Sequence, residues 1–349
     1  MIGYLSNDGN TLLLPVKTMA HKILIIQTAS IGDVILITPV IEKLHLFFPE
    51  SQIDILIKKG YEGLFEEHPI LTNVLLWDKS QHKYNKLFRL WKQIRQTKYD
   101  LIVNVQRFAS TGLVTAFSGA RQTIGFDKNP FSRFFSTRIR HDIGLKNNYV
   151  HEVDRNLKLI EKLTNDEKQQ PKLYPTKKNL ESTSQYKRDK YICVAPASLW
   201  FTKQFPEEQW IEFVSKVDYE TNIYLLGSKT DFGLCEQIRL EAGHHRTINL
   251  AGKLNLLESA ALMRDASMNY VNDSAPLHLC SAVNAKLTAV YCSTIPEFGF
   301  GPLADDSKII QTKEKLSCRP CGLHGFRQCP EKHFNCARTI STDELLYRL

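Results

Sequence analysis

HKILIIQTASIGDVILITPVIEKL, residues 21–44, decides the fold of this chain. His21–Ile26 is short, apolar and Ile-rich, the signature of a strand buried on both faces of a parallel sheet. Gln27–Gly32 is a loop of small and polar residues. From Asp33 to Leu44 the apolar spacing predicts a helix that stops before Phe47-Phe-Pro-Glu-Ser51. Strand, small-residue loop, helix is the opening unit of a doubly wound α/β domain.

The pattern repeats outward from there. Strands are expected at 52–57, 74–76, 99–105 and 124–126, and helices at 84–97 and 109–119. Between about Thr164 and Lys190 the sequence turns polar, carries two prolines and loses its periodicity, so it reads as an interdomain linker. A second alternation follows. Strands are expected at 191–195, 222–226, 248–250, 268–271 and 287–291. Helices are expected at 207–217, 230–241, 256–264 and 277–283. The expected architecture is α/β, with two Rossmann-like doubly wound domains facing a central cleft. The expected divisions are 1–20 as an N-terminal extension, 21–163, the linker 164–190, 191–330, and a C-terminal segment 331–349.

Composition narrows the function. The 349 residues suit about two domains, and 43% hydrophobic against 23% charged residues excludes a disordered chain. A net charge of +8 fits an anionic small molecule, an anionic membrane surface or nucleic acid. The longest apolar runs fall far below the ~20 residues a membrane span needs. The first twenty residues lack the basic start of a signal peptide, and Met19 is an alternative start. The expected location is therefore cytoplasmic. Eight cysteines are present, none before Cys193, and four fall in the last 32 residues. Cys318-Arg-Pro-Cys321 has the form of a metal knuckle, but Cys329 and Cys336 are more loosely spaced. Structural zinc and a packed thiol cluster both fit.

Three loops follow strands and open helices, where a doubly wound sheet binds ligands. In the first, Asp33 either caps the helix or serves as a general base facing the cleft. In the second, Pro196–Pro206, Lys203 is either a solvated loop lysine or a phosphate clamp. In the third, Asn272–His278, Asp273 or Ser274 can cap a helix whose first free N–H groups suit a diphosphate. His278, one turn in, is either a packed residue or part of that site. Neither a G-x-G-x-x-G fingerprint nor a P-loop is present in the first loop. Residues 128–146 hold five Lys or Arg against one acidic residue, interleaved with Phe131, Phe134 and Phe135. That mixture suits either an ordinary basic loop or an anionic lipid headgroup region.

Ser30-Ile-Gly-Asp33-Val-Ile-Leu-Ile-Thr-Pro39, Thr202-Lys203-Gln-Phe-Pro206-Glu-Glu-Gln-Trp210, Leu225-Leu-Gly227, Asn249-Leu-Ala-Gly252, Asp273-Ser-x-x-x-His278 and Cys318-x-x-Cys321 with Cys329-Pro330 occur in this order. In order and spacing the chain, from about His21 to Leu349, resembles glycosyltransferase family 9, the bacterial heptosyltransferases of lipopolysaccharide core synthesis. The resemblance implies a GT-B fold whose C-terminal helix, near Ser341–Leu349, packs back on the first domain. It implies inverting, metal-independent transfer of heptose from ADP-L-glycero-D-manno-heptose. Asp33 would be the general base and Lys203 would hold the leaving diphosphate. Ser198, Asn249, Asp273, Ser274, Ala275 and His278 would complete the donor side. Ser30, Gly32, Lys58, Lys59 and Arg133 are the acceptor-side candidates. No cofactor is required for catalysis, with zinc at Cys318, Cys321, Cys329 and Cys336 as a structural option. The partners implied are a nucleotide-sugar donor, an anionic glycolipid acceptor and the cytoplasmic face of the inner membrane, with no nucleic acid.

The sequence departs from the family at Gln27, where a basic residue is common, and at Ala197 and Ala275, where glycine is. Rival readings are another nucleotide-sugar donor such as an N-acetylhexosamine, a sugar-nucleotide epimerase or hydrolase, and a zinc-containing nucleic-acid module. Two complete Rossmann-like units argue against the last.

Overall fold

The computed structural model describes residues 21–143 and 149–349. The expected extension 1–20 and the end of the basic stretch, 144–146, lie outside the described residues. The first half runs β1 (Lys22–Ile26), α1 (Ile31–Ile35), α2 (Thr38–Phe47), β2 (Gln52–Lys58), β3 (Leu71–Trp77), α3 (Lys83–Thr97), β4 (Leu101–Asn104), α4 (Ala109–Ala116), β5 (Gln122–Phe126) and β6 (Thr137–Ile139). Then come α5 (Glu152–Lys158) and α6 (Lys177–Thr183). The second half runs β7 (Tyr191–Ala195), α7 (Glu207–Ser215), β8 (Asn222–Leu225), α8 (Phe232–Ala242), β9 (Thr247–Asn249), α9 (Leu256–Arg264), β10 (Met268–Asn272), α10 (Ala275–Ala282), β11 (Leu287–Tyr291), β12 (Ser307–Gln311), α11 (Asn335–Arg338) and α12 (Asp343–Leu346).

The strands form two six-stranded sheets, ordered β3-β2-β1-β4-β5-β6 and β9-β8-β7-β10-β11-β12. All ten pairings are parallel. Each half therefore reverses strand order once, between β1 and β4 and between β7 and β10. Those switch points open a crevice at the strands' carboxyl ends. Central strands such as Lys22–Ile26 and Tyr191–Ala195 are buried almost throughout, as helices on both faces require. One apolar cluster runs from the first sheet through Val34, Ile35 and Val40 to Leu277 and Leu279 of the second half. Separate clusters cover the outer faces of the two sheets. The two halves thus share one core, and α1 packs against α10 across the interface.

Three expectations change here. The helix expected from Asp33 to Leu44 is two helices, broken at Leu36–Ile37, with Pro39 in the first turn of α2. Proline has no N–H to extend the upstream ladder, and its ring clashes there. The linker is not a loose tether. Lys172 N–H donates to Thr38 Oγ1 (3.0 Å), Tyr174 OH to Glu42 (2.8 Å) and Leu173 N–H to the Ala282 carbonyl (3.0 Å). Its second part is α6, capped reciprocally by Thr176 and Asn179 and packed on α9. The C-terminal helix does not return to the first domain. α12 lies against α7, with Leu345 fully buried among Trp210, Phe213 and Tyr270. Tyr270 OH donates to the Leu345 carbonyl at 3.0 Å. Burial of this leucine in the second sheet's outer core fixes the segment there.

Candidate active site

The loop after β1 turns sharply and begins α1 on a reciprocal capping box. The half-buried Asp33 accepts through Oδ2 from the Ser30 amide (3.0 Å) and the Ser30 hydroxyl (2.5 Å). Oδ1 has no hydrogen-bond partner among the described residues. The capping reading of Asp33 is met through one oxygen, and the other is left without a bond in that box. Behind it, Gln106 Nε2 donates to Gln27 Oε1, which also accepts from the Ala29 amide (3.2 Å). Gln27 thus ties the loop after β1 to the loop after β4, across the switch point.

The loop after β7 places Lys203 at the end of a short turn, Phe201–Lys203. Its ammonium lies 2.7 Å from Asp273 Oδ2, with both side chains largely buried. Asp273 follows β10 and also accepts from Thr294 Oγ1 at 2.6 Å. Asn272 braces the two loops, its amide donating to the Pro196 carbonyl (2.7 Å) and its oxygen accepting from Phe205 N–H (3.0 Å). Lys203 and Asp273 are thereby fixed at the second switch point. Ser274 is the N-cap of α10 and Ala275 its first residue, so their amides precede the helix's own bonds. Pro276 supplies no further N–H.

His278 joins the halves. A methyl group at Gly32 would stand 2.8 Å from His278 Cδ2, closer than any real contact. Gly32 is therefore where α1 lets the imidazole of α10 approach its backbone. His278 is buried, and its Nδ1 has no hydrogen-bond partner among the described residues. Burial pushes its pKa down to about 3, Asp273 opposes this, and His151 and Lys203 reinforce it. The ring is neutral at neutral pH.

Other expected residues are distributed differently. Ser30, Lys58 and Lys59 line a cavity of about 880 Å³ at the carboxyl ends of β1, β2 and β3, together with Tyr61 and Lys79. Arg133 does not join them. It follows β5, three strands from β2, and its guanidinium lies 4.7 Å over the Phe134 ring. At ~4.8 Å per strand that is ~14 Å across the sheet. Asn249 stands at the end of β9, an edge strand three strands from β10. Its amide donates to the Phe232 carbonyl (3.2 Å) and Glu236 (3.0 Å), and its oxygen accepts from Ala251 N–H (3.0 Å). It is a brace for the β8–β9 edge. Ser198 lies on the loop beside Lys203, its carbonyl taking a bond from Gln204 (2.6 Å).

The cysteines do not match the zinc expectation. Among the described residues, no group of three or more His, Cys, Asp or Glu side chains is placed to hold a metal ion. Cys318, Cys321, Cys329 and Cys336 instead line a pocket of about 280 Å³ with His333 and Phe334. The Cys321 thiol donates to the Cys318 carbonyl (3.4 Å), and the Cys318 sulfur lies 3.8 Å from His333 Nε2. The loop buttresses Lys203: Thr202 exchanges bonds with Phe326, and Gly325 sits too close to Thr202 and Lys203 to carry a side chain.

Three charged groups escaped the sequence reading. Glu152 and Arg155 open α5 as a bidentate pair (2.9 and 2.6 Å). Burial raises the Glu152 carboxyl, Arg155 draws it back, and the charge of nearby Asp33 raises it further. Arg155 reaches the Val150 and Phe298 carbonyls, so it also ties α5 to the second half. Lys79 donates to the Thr28 carbonyl (2.6 Å) inside the large cavity, and burial lowers its pKa. The i, i+3 spacing of Glu152 and Arg155 was the available signal.

Two facing parallel sheets, a carboxylate at one switch point and a buried Lys–Asp pair at the other define a GT-B glycosyltransferase. The family pattern of glycosyltransferase family 9 (heptosyltransferase) matches residues 87–332. The chain belongs to that family. It is 27% identical over 282 residues to lipopolysaccharide heptosyltransferase 3 of Escherichia coli, covering 75% of this chain and 81% of the relative. It is 23% identical over 317 residues to lipopolysaccharide heptosyltransferase 1 of Campylobacter coli, covering 85% and 91%. In fold it is similar to E. coli ADP-heptose lps heptosyltransferase II, with a TM-score of 0.77, 18% identity and coverage of 94% and 97%. It is similar likewise to E. coli heptosyltransferase WaaC with ADP, with a TM-score of 0.70, 16% identity and coverage of 93% and 98%. Among the described residues no helix is long and apolar enough to cross a membrane.

Proposed function

We propose that this glycosyltransferase moves heptose from an ADP-heptose donor to a lipopolysaccharide core acceptor, with inversion at the anomeric carbon. The observation that carries the reading is the pairing, across one interface, of Asp33 with the Lys203–Asp273 pair through Gly32 and His278. The names of the similar heptosyltransferases support the donor and the acceptor class.

The chemistry follows from the residues. The acceptor hydroxyl attacks the anomeric carbon on the face opposite the diphosphate. Its proton passes to Asp33, whose Oδ2 stays held by Ser30 while Oδ1 receives it. The anomeric bond to oxygen breaks and ADP departs with the electron pair. Lys203 and the amides of Ser274 and Ala275 balance the charge that grows on the diphosphate. Asp273 holds the lysine in place, and neutral His278 adds no competing charge. Glu152, whose carboxyl feels the charge of Asp33, is a positioning residue that holds Arg155 at the start of α5. Lys58, Lys59 and Lys79 around the large cavity suit an acidic acceptor sugar. The fold's two units correspond to acceptor and donor domains, and the enzyme works at the cytoplasmic face of the inner membrane.

The test separates the two halves. Asp33→Asn should abolish heptose transfer while isothermal titration shows ADP affinity within about threefold of the parent, since only the base is lost. Lys203→Gln should weaken ADP at least about tenfold, the cost of one charge-assisted contact. Turnover retained in Asp33→Asn, or ADP affinity retained in Lys203→Gln, would remove the assigned role.

A further inference from the structure

Helix α3 spans 15 residues, about 22 Å, and its two faces differ in an unusual way. Leu87, Leu90 and Ile94 bury against the first sheet. Tyr84, Phe88 and Trp91, at i, i+4 and i+7, form a second apolar stripe: Trp91 is half-buried against the core, and Tyr84 and Phe88 stand exposed among the described residues. Tyr84 is 68% and Phe88 57% exposed. Phe88 and Trp91 pack at 5.3 Å, and Arg95 lies 5.7 Å over the Trp91 ring. Trp91 Nε1 (2.8 Å) and Arg95 (3.0 Å) both donate to the Phe117 carbonyl. That joins α3 to a second aromatic group. Phe117 (45% exposed) and Phe134 (48% exposed) meet at 5.8 Å, with Arg133 over Phe134.

Charge is equally one-sided. Residues 83–98 carry six Lys or Arg and no Asp or Glu. Among the described residues only Lys86 of these pairs with a carboxylate, Asp78. Exposed rings set among unpaired cations match an anionic bilayer surface, where rings sink to headgroup depth and cations stay at the phosphates. A second copy of the chain would bring like charge against like and repel.

We infer that α3 and the Phe117–Phe134 group dock this enzyme on an anionic bilayer. The inference rests on the lipid-linked acceptor proposed above and gives that acceptor a route. Asp78, Lys79 and Ser80 line the acceptor cavity, and Lys86 of α3 bonds Asp78 (2.8 Å) and Ser80 (2.9 Å). The amino end of the docked helix therefore sits at the cavity rim. A headgroup sugar can enter the cavity while its acyl chains remain in the bilayer.

Flotation with vesicles of phosphatidylcholine alone, or mixed with phosphatidylglycerol, tests this on the full chain. The protein should float with the mixed vesicles and fall away as salt rises. Tyr84→Ser with Phe88→Ser should reduce flotation about tenfold or more, the loss expected for two unburied rings. Arg89→Glu with Lys92→Glu should abolish it at physiological salt. All four side chains are exposed, so ADP affinity and melting temperature should match the parent. The ring variant should also turn over a deacylated acceptor normally and a vesicle-embedded one slowly. Parent protein that fails to float, ring variants that float normally, or a polynucleotide bound as tightly as the mixed vesicles would overturn the docking surface. Flotation without ADP binding would instead defeat the transferase reading and leave this one standing.

Discussion

Gly32 shows how a single hydrogen atom can decide an interface. Its neighbours make an ordinary helix start, but a methyl group there would collide with a buried imidazole from the other half of the chain. Gly32→Ala should therefore cost about 1–3 kcal/mol, the range for overpacking. Thermal denaturation should show the loss, and transfer should fall more steeply than ADP affinity if the α1–α10 contact aligns the proposed base with the donor side. An unchanged melting temperature and turnover would show that the contact can relax. Asp33, Lys203, Asp273 and His278 were all legible as candidates, because each stands just beyond a readable strand. Asn249 met the same rule, and the structure gives its side chain a bracing role. It follows a strand, but an edge strand far from the switch point, and its own loop consumes every polar atom it has. Glu152 and Arg155 were hidden for the opposite reason: the strand before them, Thr137–Ile139, is short and half-exposed and does not lead directly into their helix, so beyond their i, i+3 spacing nothing local marks them as facing the cleft.

Elements were read well in the centre of each sheet and poorly at the margins. Tyr191–Ala195, Leu256–Arg264 and Leu287–Tyr291 match expectation residue for residue, being apolar runs or clean helical spacing. Two of the four edge strands, Thr137–Ile139 and Ser307–Gln311, went unread. They are half-exposed and short of the continuous apolar character that marks a central strand. The C-terminal helix was placed in the wrong half. Its four residues carry no label for the surface that receives Leu345, and only the Trp210–Phe213–Tyr270 group settles it. Leu345→Ala should destabilise the second half by about 2–5 kcal/mol, as for other fully buried leucines. Chemical denaturation should show a lowered midpoint with little change in slope. A shift below about 0.5 kcal/mol would place α12 outside the cooperative unit.

At the scale of the whole molecule, one interface carries both stability and chemistry, and buried histidines make it sensitive to acid. Burial lowers His278 to about 3 and His151 to about 4. His151 sits at the start of α5 and bonds the Gly301 carbonyl of the second half at 3.1 Å. The unfolded chain binds these protons near pH 6.5, whereas the native state refuses them until about pH 3–4. Their contribution is therefore fully present above pH 6.5 and is lost as the pH falls toward 4. Each histidine steepens the decline by up to about 1.4 kcal/mol per pH unit. Melting temperature followed from pH 7.5 to 4.5 should fall, and His151→Gln should flatten the curve, since the scan runs from about one unit above the unfolded-state value to just above the native one. Equal slopes in parent and variant would show that His151 is not part of the acid response.

The sequence alone determined the two doubly wound halves, their order of elements and the family, because alternating buried strands and amphipathic helices are written in local periodicity. It also located the loops that carry Asp33, Lys203 and Asp273, since strand ends are local features. Only the tertiary structure decided which of these meet. The approach of His278 to Gly32, the pairing of Lys203 with Asp273, the separation of Arg133 and Asn249 from the site, and the burial of Leu345 beside Tyr270 join residues remote in sequence. Such contacts depend on how whole surfaces fit together, and no short window of sequence contains both of the surfaces involved.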